Sequence, residues 1–355
     1  MHFSSEDPTQ LTSYFEYLED VFQQASSTCG GVKQRVFCIA DKAIALNTVG
    51  ENLDELLFKA FAHLPTNISS KETLNLFVWD AKEADLTFKF PTPQILGNEK
   101  LEKITEHYFE NYCVLFSERG VVFYAYDYLK NTAYVCIKDS NLLPNYFLAS
   151  PLFRILKIWA KLNGLSVLHA GCVANENNAV LFVGKGGKGK STTSLQCLLD
   201  GMYYLGDDYV LLDTSQPIPV IYTLFCSGKL HLNHITNFPL FNEHSIYRPN
   251  TEAYDKPLLY LNELFKEKIA YKRPLKAIVA TQLTGNEFTS YKPMSAFEAL
   301  KALAPSTLFQ LNLGDQGDFA KMGNLTRTTP CFTLELGTNF QGIASVVNEL
   351  LHTFD

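Results

Sequence analysis

Residues 184–192, Gly-Lys-Gly-Gly-Lys-Gly-Lys-Ser-Thr, have the types and the spacing that suit binding of a chain of phosphates. They match the pattern G-x-x-x-x-G-K-[ST], in which glycines let backbone amides approach phosphate oxygens without a Cβ clash. A helix that begins there adds unpaired N–H groups and the positive end of its dipole. The pattern therefore predicts a nucleotide-binding loop made of Gly184, Gly186, Gly187, Lys188, Gly189, Lys190, Ser191 and Thr192.

Two side chains of this loop are expected to act on the phosphates directly. Lys190 is predicted to reach the β- and γ-phosphates, and Ser191 to offer its hydroxyl to Mg²⁺. The alternative is a solvated glycine-rich turn that matches by chance. The flanks favour the binding loop, because the apolar run 179–183 predicts a buried strand and the leucine spacing in 191–199 predicts a helix.

A pair of adjacent carboxylates follows the predicted helix, at Asp207 and Asp208. We expect the strand 203–212, which carries them, to lie beside the loop strand and to aim them at the γ-phosphate. One carboxylate can then hold Mg²⁺ while the other accepts the proton of an attacking hydroxyl. Their order stays open; Asp208 is taken with Ser191 as the metal candidate. The alternative is an acidic turn, since Gly-Asp-Asp is common in loops.

His169 is a further candidate, on the predicted strand 165–174 that precedes the loop strand. A histidine beside the acid pair could tune its protonation. The alternative is a core histidine bonded to a backbone carbonyl, and sequence spacing alone favours that alternative.

Three stretches taken together, 168–174, 180–192 and 200–212, resemble the catalytic core of HPr kinase/phosphorylase. That family has a histidine-glycine motif, a phosphate loop and an Asp-Asp pair in this order, and its fold is similar to that of phosphoenolpyruvate carboxykinase. The resemblance implies an α/β phosphate-loop nucleotide domain of this type. It also implies an ATP- and Mg²⁺-dependent kinase that moves the γ-phosphoryl group to a hydroxyl, with serine of a peptide, protein or small molecule as the acceptor.

Carried over residue by residue, the resemblance makes His169 the family histidine, Lys190 the phosphate lysine and Ser191 the Mg²⁺-binding hydroxyl. One of Asp207 and Asp208 becomes the catalytic base. The four residues assigned to catalysis are thus Asp207, Asp208, His169 and Lys190.

The chain departs from the family after the acid pair. The bifunctional enzymes have a Glu-x-Arg-Gly-x-Gly signature there, whereas residues 224–230 read Leu-Phe-Cys-Ser-Gly-Lys-Leu. The missing glutamate and arginine put a second metal carboxylate and a phosphorylase activity in doubt. Lys229 could replace a phosphate contact, although a lone lysine is more often solvated. Members that act on HPr form hexamers, which makes a homo-oligomer a possibility here.

Composition restricts the classes of partner. Hydrophobic residues make up 46% and charged residues 19% of the 355, which is typical of a packed globular protein. A net charge of −7 argues against a general nucleic-acid binder, which needs a basic face. The eight cysteines form no C-x-x-C pair, and we expect reduced thiols in a cytoplasmic protein. The N-terminus has no signal-peptide pattern, and no apolar stretch approaches the ~20 residues that span a bilayer, so no membrane association is expected.

The element pattern predicts two domains. Residues 1–143 are predicted to form an α+β recognition or accessory domain, with a helix at 9–26 and an antiparallel meander at 112–138. A helix at 145–163 then opens the HPr-kinase-like catalytic domain, 144–355.

His231 and His234 have H-x-x-H spacing, which suits a zinc site or the lining of a substrate pocket.

Two other functions fit parts of the pattern. A nucleotide-binding regulatory protein with little or no transfer would keep the loop, but the retained acid pair argues against it. A carboxykinase-type reaction needs further metal ligands and an arginine-rich carboxylate pocket, which the sequence does not offer.

Overall fold

The structure is a computed structural model that describes residues 8–66, 72–87, 105–117, 121–247, 256–309 and 316–354. The chain divides into two compact units, and each is described by itself below. The first contains the described residues up to Lys59 and from Leu64 to Leu156; the second contains Ala60–His63, Lys157–Tyr247 and the chain from Lys256 onward. The division falls between Leu156 and Lys157, whereas the sequence predicted a domain boundary near residue 143.

The first unit is built on a mixed sheet with a long helix against it. Its elements are the helices α1 (Pro8–Thr28), α2 (Leu53–Phe58) and α3 (Asn145–Ala149) and the strands β1 (Lys33–Ile39), β2 (Lys42–Val49), β3 (Glu72–Asp80), β4 (Thr105–Tyr108), β5 (Tyr112–Ser117), β6 (Val122–Asp127) and β7 (Thr132–Ile137). Among the described residues these strands follow the order β1-β2-β3-β7-β6-β5-β4. Phe15, Leu18 and Phe22 recur at helical spacing and put one face of α1 into the core of this unit.

The antiparallel meander predicted for 112–138 is present as β5, β6 and β7. The single helix predicted for 145–163 is wrong: the structure has α3 and then α4 (Phe153–Leu162). Pro151 explains the break, because a proline disfavours helical backbone in the residue before it and lacks an N–H. Ser150 is accordingly non-helical, and Leu152 has a positive φ of 59°.

The second unit contains a larger mixed sheet. Its strands are β8 (Ser166–Leu168), β9 (Gly171–Ala174), β10 (Ala179–Val183), β11 (Tyr203–Gly206), β12 (Val210–Asp213), β13 (Val220–Thr223), β14 (Ser227–Lys229), β15 (Leu258–Tyr260), β16 (Lys272–Leu283), β17 (Ser290–Pro293) and β18 (Cys331–Leu336). In the described part of the chain, nine of them form one sheet in the order β11-β9-β10-β16-β13-β12-β8, with β18 beside β16 and β17 beside β18. The strands β14 and β15 pair separately.

Helices cover both faces of this sheet. They are α5 (Lys190–Leu199), α6 (Leu232–Ile235), α7 (Pro239–His244), α8 (Leu261–Phe265), α9 (Ala296–Ala304), α10 (Gln316–Thr328) and α11 (Ile343–His352). The alternation of side chains along a strand makes β10 the centre of both cores. Phe182 packs in the cluster that includes residues of α5 and α11, while Leu181 packs in the cluster that includes residues of α9 and α10. Burial on both faces fixes the strand that leads into the glycine-rich loop.

Two long strands predicted from the sequence are each broken in the structure. Stretch 165–174 forms β8 and β9, which pair with different neighbours, and 203–212 forms β11 and β12. Gly206 permits the second break, because an added Cβ would lie 2.5 Å from a Val210 methyl and 3.1 Å from the Tyr209 carbonyl. The chain can therefore turn sharply there only without a side chain.

The strand that leads to the acid pair is not the neighbour of the loop strand, which corrects the sequence prediction. β11 pairs with β9, and β9 pairs with β10, both antiparallel. Two antiparallel steps make β11 parallel to β10, so the carboxyl ends of both strands still lie at the same edge of the sheet.

None of the helices of the described residues has both the length and the hydropathy that a membrane span needs.

Candidate nucleotide site

The glycine-rich loop connects β10 to α5. Gly184, Gly187 and Gly189 have φ values of 139°, 78° and 93°, which favour glycine over other residues. Gly189 is the N-cap of α5, and a Cβ there would lie 2.6 Å from a Leu336 methyl. The conformation and the packing therefore both require glycine at this position, as the motif predicted from sequence.

Lys190 folds back over the loop. Its ammonium donates to the Gly184 carbonyl at 2.7 Å and to the Lys185 carbonyl at 3.3 Å. Burial lowers the pKa of Lys190, while the charges of Asp207 and Asp208 oppose that shift. The ammonium is thus held inside the loop by carbonyl oxygens that phosphate oxygens can replace.

Asp207 and Asp208 lie in the break between β11 and β12, at the same edge of the sheet as the loop. Burial, and then the charge of Asp208, raise the pKa of Asp207, and the Ser191 hydroxyl opposes that shift. The Lys229 backbone N–H lies 3.5 Å from Asp207 Oδ2. The first acid is therefore buried close to Ser191, in the first turn of α5.

Asp208 has a different environment, because Lys229 is buried beside it. Lys229 Nζ lies 2.8 Å from Asp208 Oδ2, and the two side chains are 14% and 25% exposed. Burial alone would raise the pKa of Asp208, but the charge of Lys229, together with His169 and Lys256, holds that pKa well below its usual range. The sequence analysis favoured a solvated Lys229; the structure instead makes it the ion-pair partner of the acid pair.

The strand β14 places Lys229. Gly228 lets this strand approach α5, since an added Cβ would lie 3.1 Å from a Leu195 methyl and 3.3 Å from a Leu261 methyl. The buried Tyr204 hydroxyl donates to the Ser227 carbonyl at 2.7 Å. Close packing on α5 and this hydrogen bond hold the lysine against the acids.

His169 lies between β8 and β9, and its Nε2 is 3.8 Å from Asp208 Oδ1. This distance is too long for a hydrogen bond. Burial lowers the pKa of His169, so the ring is neutral near pH 7. The backbone N–H of His169 donates to Thr307 Oγ1 at 3.3 Å, and the ring Nδ1 has no hydrogen-bond partner among the described residues. The structure thus brings this histidine to the acid pair, as the functional interpretation of the sequence expected.

One open cavity of about 520 Å³ connects the loop with Asp208, Lys229 and His169, whereas the buried Asp207 is not among the residues that line it. It is lined by Gly186, Gly187, Gly189, Lys190, Ser191, Thr192 and Thr193 of the loop and α5, by His169, Asp208, Lys229 and Lys256, and by Leu230, His231, His234, Leu283, Leu336, Phe340 and Ile343. Lys256 was missed from the sequence, which has no motif around it. Its charge acts on both Asp207 and Asp208.

The residues of the site can supply some of the oxygen ligands that a magnesium ion needs. Asp207 Oδ1 is buried and has no hydrogen-bond partner among the described residues, and the Ser191 hydroxyl is near enough to lower the pKa of the same carboxyl. Oxygen donors of this kind suit Mg²⁺. The described ranges hold no group of three or more His, Cys, Asp or Glu side chains arranged for a metal. An ion here would take its other ligands from phosphate oxygens and water.

His231 and His234 line the edge of the cavity, with ring centroids 6.4 Å apart. Both side chains are exposed, and the described residues supply no third protein ligand for a metal beside them. Of the two interpretations offered by the sequence, the lining of a substrate pocket suits their position better.

Of the comparisons with known proteins, only the one with solved structures found a match. No family model matches this chain, and no curated protein matches it. Among solved structures, the Hpr(Ser) kinase/phosphatase from Coxiella burnetii is similar at a TM-score of 0.32 and 11% sequence identity. The match covers 53% of this chain and 92% of that one. This is a weak likeness, and we infer neither the family nor the activity of this chain from it.

Proposed function

We propose that this chain is an ATP-dependent kinase that transfers the γ-phosphoryl group to a hydroxyl, with serine of a peptide, protein or small molecule as the acceptor class. The observation that carries the proposal is the single cavity that joins the glycine-rich loop, through Lys190, to Asp208 and His169. A phosphate-binding loop, a nearby carboxylate and space for an acceptor are the parts that phosphoryl transfer needs.

The loop and Lys190 are proposed to bind the triphosphate. Residues Gly189–Thr192 at the start of α5 line the cavity, and the unpaired N–H groups of a helix start suit phosphate oxygens. On binding, the Lys190 ammonium exchanges the Gly184 and Lys185 carbonyls for phosphate oxygens. A positive charge held there stabilises the negative charge of the transferring group without reorganisation in water.

The two acids are proposed to divide the work by their neighbours. Asp207 Oδ1 has no hydrogen-bond partner among the described residues, and the Ser191 hydroxyl acts on the pKa of this carboxyl, so we take Asp207 with Ser191 as the magnesium partners; the sequence analysis had paired Ser191 with Asp208. Bound Mg²⁺ supplies neutralisation of the phosphate charge. Asp208 lines the cavity and is kept ionised by Lys229, so it can accept the proton of the incoming hydroxyl as that oxygen bonds to the γ-phosphorus and the bond to the β,γ-bridging oxygen breaks, which releases ADP.

The neutral His169 ring is proposed to support Asp208. Its Nε2 is within 3.8 Å of that carboxylate and can approach to donate a hydrogen bond once the acceptor is bound. In this arrangement the histidine orients the acid, and Asp208 is the group that touches the acceptor.

The test is transfer of label from γ-labelled ATP in the presence of Mg²⁺ to free serine, to a serine-peptide library and to a cell lysate. Label on a hydroxyl acceptor, located by mass spectrometry and absent with Lys190→Ala, supports the kinase. Tight nucleotide binding without transfer to any acceptor contradicts it and favours the regulatory protein.

A further inference from the structure

The cavity extends past the loop along the ends of neighbouring strands. β16 pairs parallel to β10, and β18 pairs parallel to β16, so the three carboxyl ends lie at one edge of the sheet. The last residues of these strands are Val183, Leu283 and Leu336. In open α/β sheets ligands bind in the crevice outside such strand ends. The ends of β16 and β18 therefore continue the phosphate site in a direction away from the acid pair.

This end of the cavity is apolar. Leu283 and Leu336 end their strands, Phe340 lies in the short turn before α11, and Ile343 begins α11. The wall touches the loop directly, because a Cβ on Gly189 would lie 2.6 Å from a Leu336 methyl and 3.6 Å from a Leu283 methyl. Leu283 is nevertheless 59% exposed, which leaves apolar surface facing the cavity.

Four backbone N–H groups beside this wall are already used in hydrogen bonds. After β18 the N–H groups of Gly337, Thr338 and Asn339 donate to Thr289 Oγ1 and to the carbonyls of Asn286 and Glu287. The Gln341 N–H is used by the Asn339 side chain. A guanine O6 or an adenine N1 needs a donor. These four amides do not supply one without breaking an existing bond.

We propose that this apolar end holds the base of the nucleotide donor by van der Waals contact alone. The donor is then a nucleoside triphosphate whose base is required for binding, while the site does not distinguish one base from another. The inference rests on the proposed function and names the donor class for that site. It predicts that adenine and guanine nucleotides bind within about threefold of one another. Inorganic tripolyphosphate, which has the phosphates but no base, binds at least tenfold more weakly.

The test is calorimetric titration of the full chain with Mg²⁺ and three probes: the β,γ-imido analogues of ATP and GTP, and tripolyphosphate. The variants Leu283→Ser and Phe340→Ala change the apolar end. Phe288→Ala is the matched control, because this side chain is 68% exposed and is not among the residues that line the cavity. We expect both cavity variants to bind the two nucleotide analogues at least fivefold more weakly than the wild type. Their affinity for tripolyphosphate, and all affinities of the control variant, should be unchanged.

The outcomes separate this inference from the function on which it rests. If the wild-type chain binds none of the probes, or if Lys190→Ala binds them all equally well, the nucleotide site itself is wrong and the inference fails with it. If the probes bind but tripolyphosphate matches the nucleotides, or one base is preferred more than tenfold, only the inference is overturned. Unchanged nucleotide affinity in Leu283→Ser overturns it independently, since this exposed strand end can be changed without altering the core.

Discussion

The ion pair between Lys229 and Asp208 gives the most quantitative prediction. Two unit charges 2.8 Å apart attract by about 6 kcal/mol at an effective dielectric constant of ~20, and desolvation of both ions offsets part of this. Lys229→Met removes the ammonium and leaves the carboxylate unpaired. We expect a loss of about 3 kcal/mol in unfolding free energy, at the low end of the range for broken buried pairs, because Asp208 keeps some contact with water.

Chemical and thermal unfolding at pH 7, followed by circular dichroism, measure this loss. For a domain of ~150–250 residues, 3 kcal/mol corresponds to a fall in Tm of about 6–12 °C. The double variant Lys229→Met/Asp208→Asn removes both charges and should recover about 2 kcal/mol of coupling energy. Lys185→Met, which removes an exposed lysine of the loop, is the control and should stay within about 0.5 kcal/mol of the wild type.

Two results would refute the reasoning. An unfolding free energy of Lys229→Met within about 0.5 kcal/mol of the wild type would mean that the lysine is not the partner of the buried acid. Additive effects in the double-mutant cycle would mean that the two side chains do not interact.

Three further predictions concern the loop, the chemistry and a buried phenol. Lys190→Ala and Asp207→Asn should each reduce phosphoryl transfer by at least ~10²-fold with unchanged circular dichroism; retained turnover in either contradicts its role. Gly189→Ala should lower the Tm, because of a positive φ and a leucine contact at 2.6 Å, whereas Gly186→Ala, with no atom within 4 Å of its Cβ, should leave the Tm unchanged; equal effects on the Tm contradict the packing. Burial raises the pKa of Tyr204 well above its usual value, so the unfolded chain loses this proton near pH 10 while the folded chain keeps it. Stability should therefore be complete below pH 10 and fall as pH rises above it, less steeply in Tyr204→Phe; identical slopes in urea unfolding contradict this.

The loop and its flanking elements could be predicted from sequence because their signals are local. The apolar run before Gly184 and the leucines after Lys190 are each a pattern within one short stretch of sequence. The structure has β10 and α5 at those places. The approach of Asp208 to His169 was expected only with the help of family order. Their roles in chemistry remain predictions.

The rest depends on contacts between distant parts of the chain. The sequence alone suggests a solvated Lys229, because β14 has only three residues. No periodic pattern in so short a strand shows that the strand packs on α5. The break at Gly206 needs a glycine because a side chain there would clash with Val210, which comes later in the chain. Sequence periodicity predicts which residues are buried, but it does not predict which neighbour buries them.

The pairing of strands was likewise not available from sequence. The order β11-β9-β10 inserts a strand between the acid-pair strand and the loop strand, which local patterns cannot distinguish from direct pairing. The edge of the sheet was nevertheless predicted correctly, because two antiparallel steps restore the parallel direction.

A crystal structure of the chain with Mg²⁺ and the β,γ-imido analogue of ATP tests the central claim most directly. We predict phosphate oxygens on the backbone amides of 184–191, Lys190 moved from the Gly184 carbonyl to the phosphates, and the terminal phosphorus facing Asp207 and Asp208. An analogue bound elsewhere, or a loop that stays closed by Lys190 at saturating nucleotide, would contradict the account.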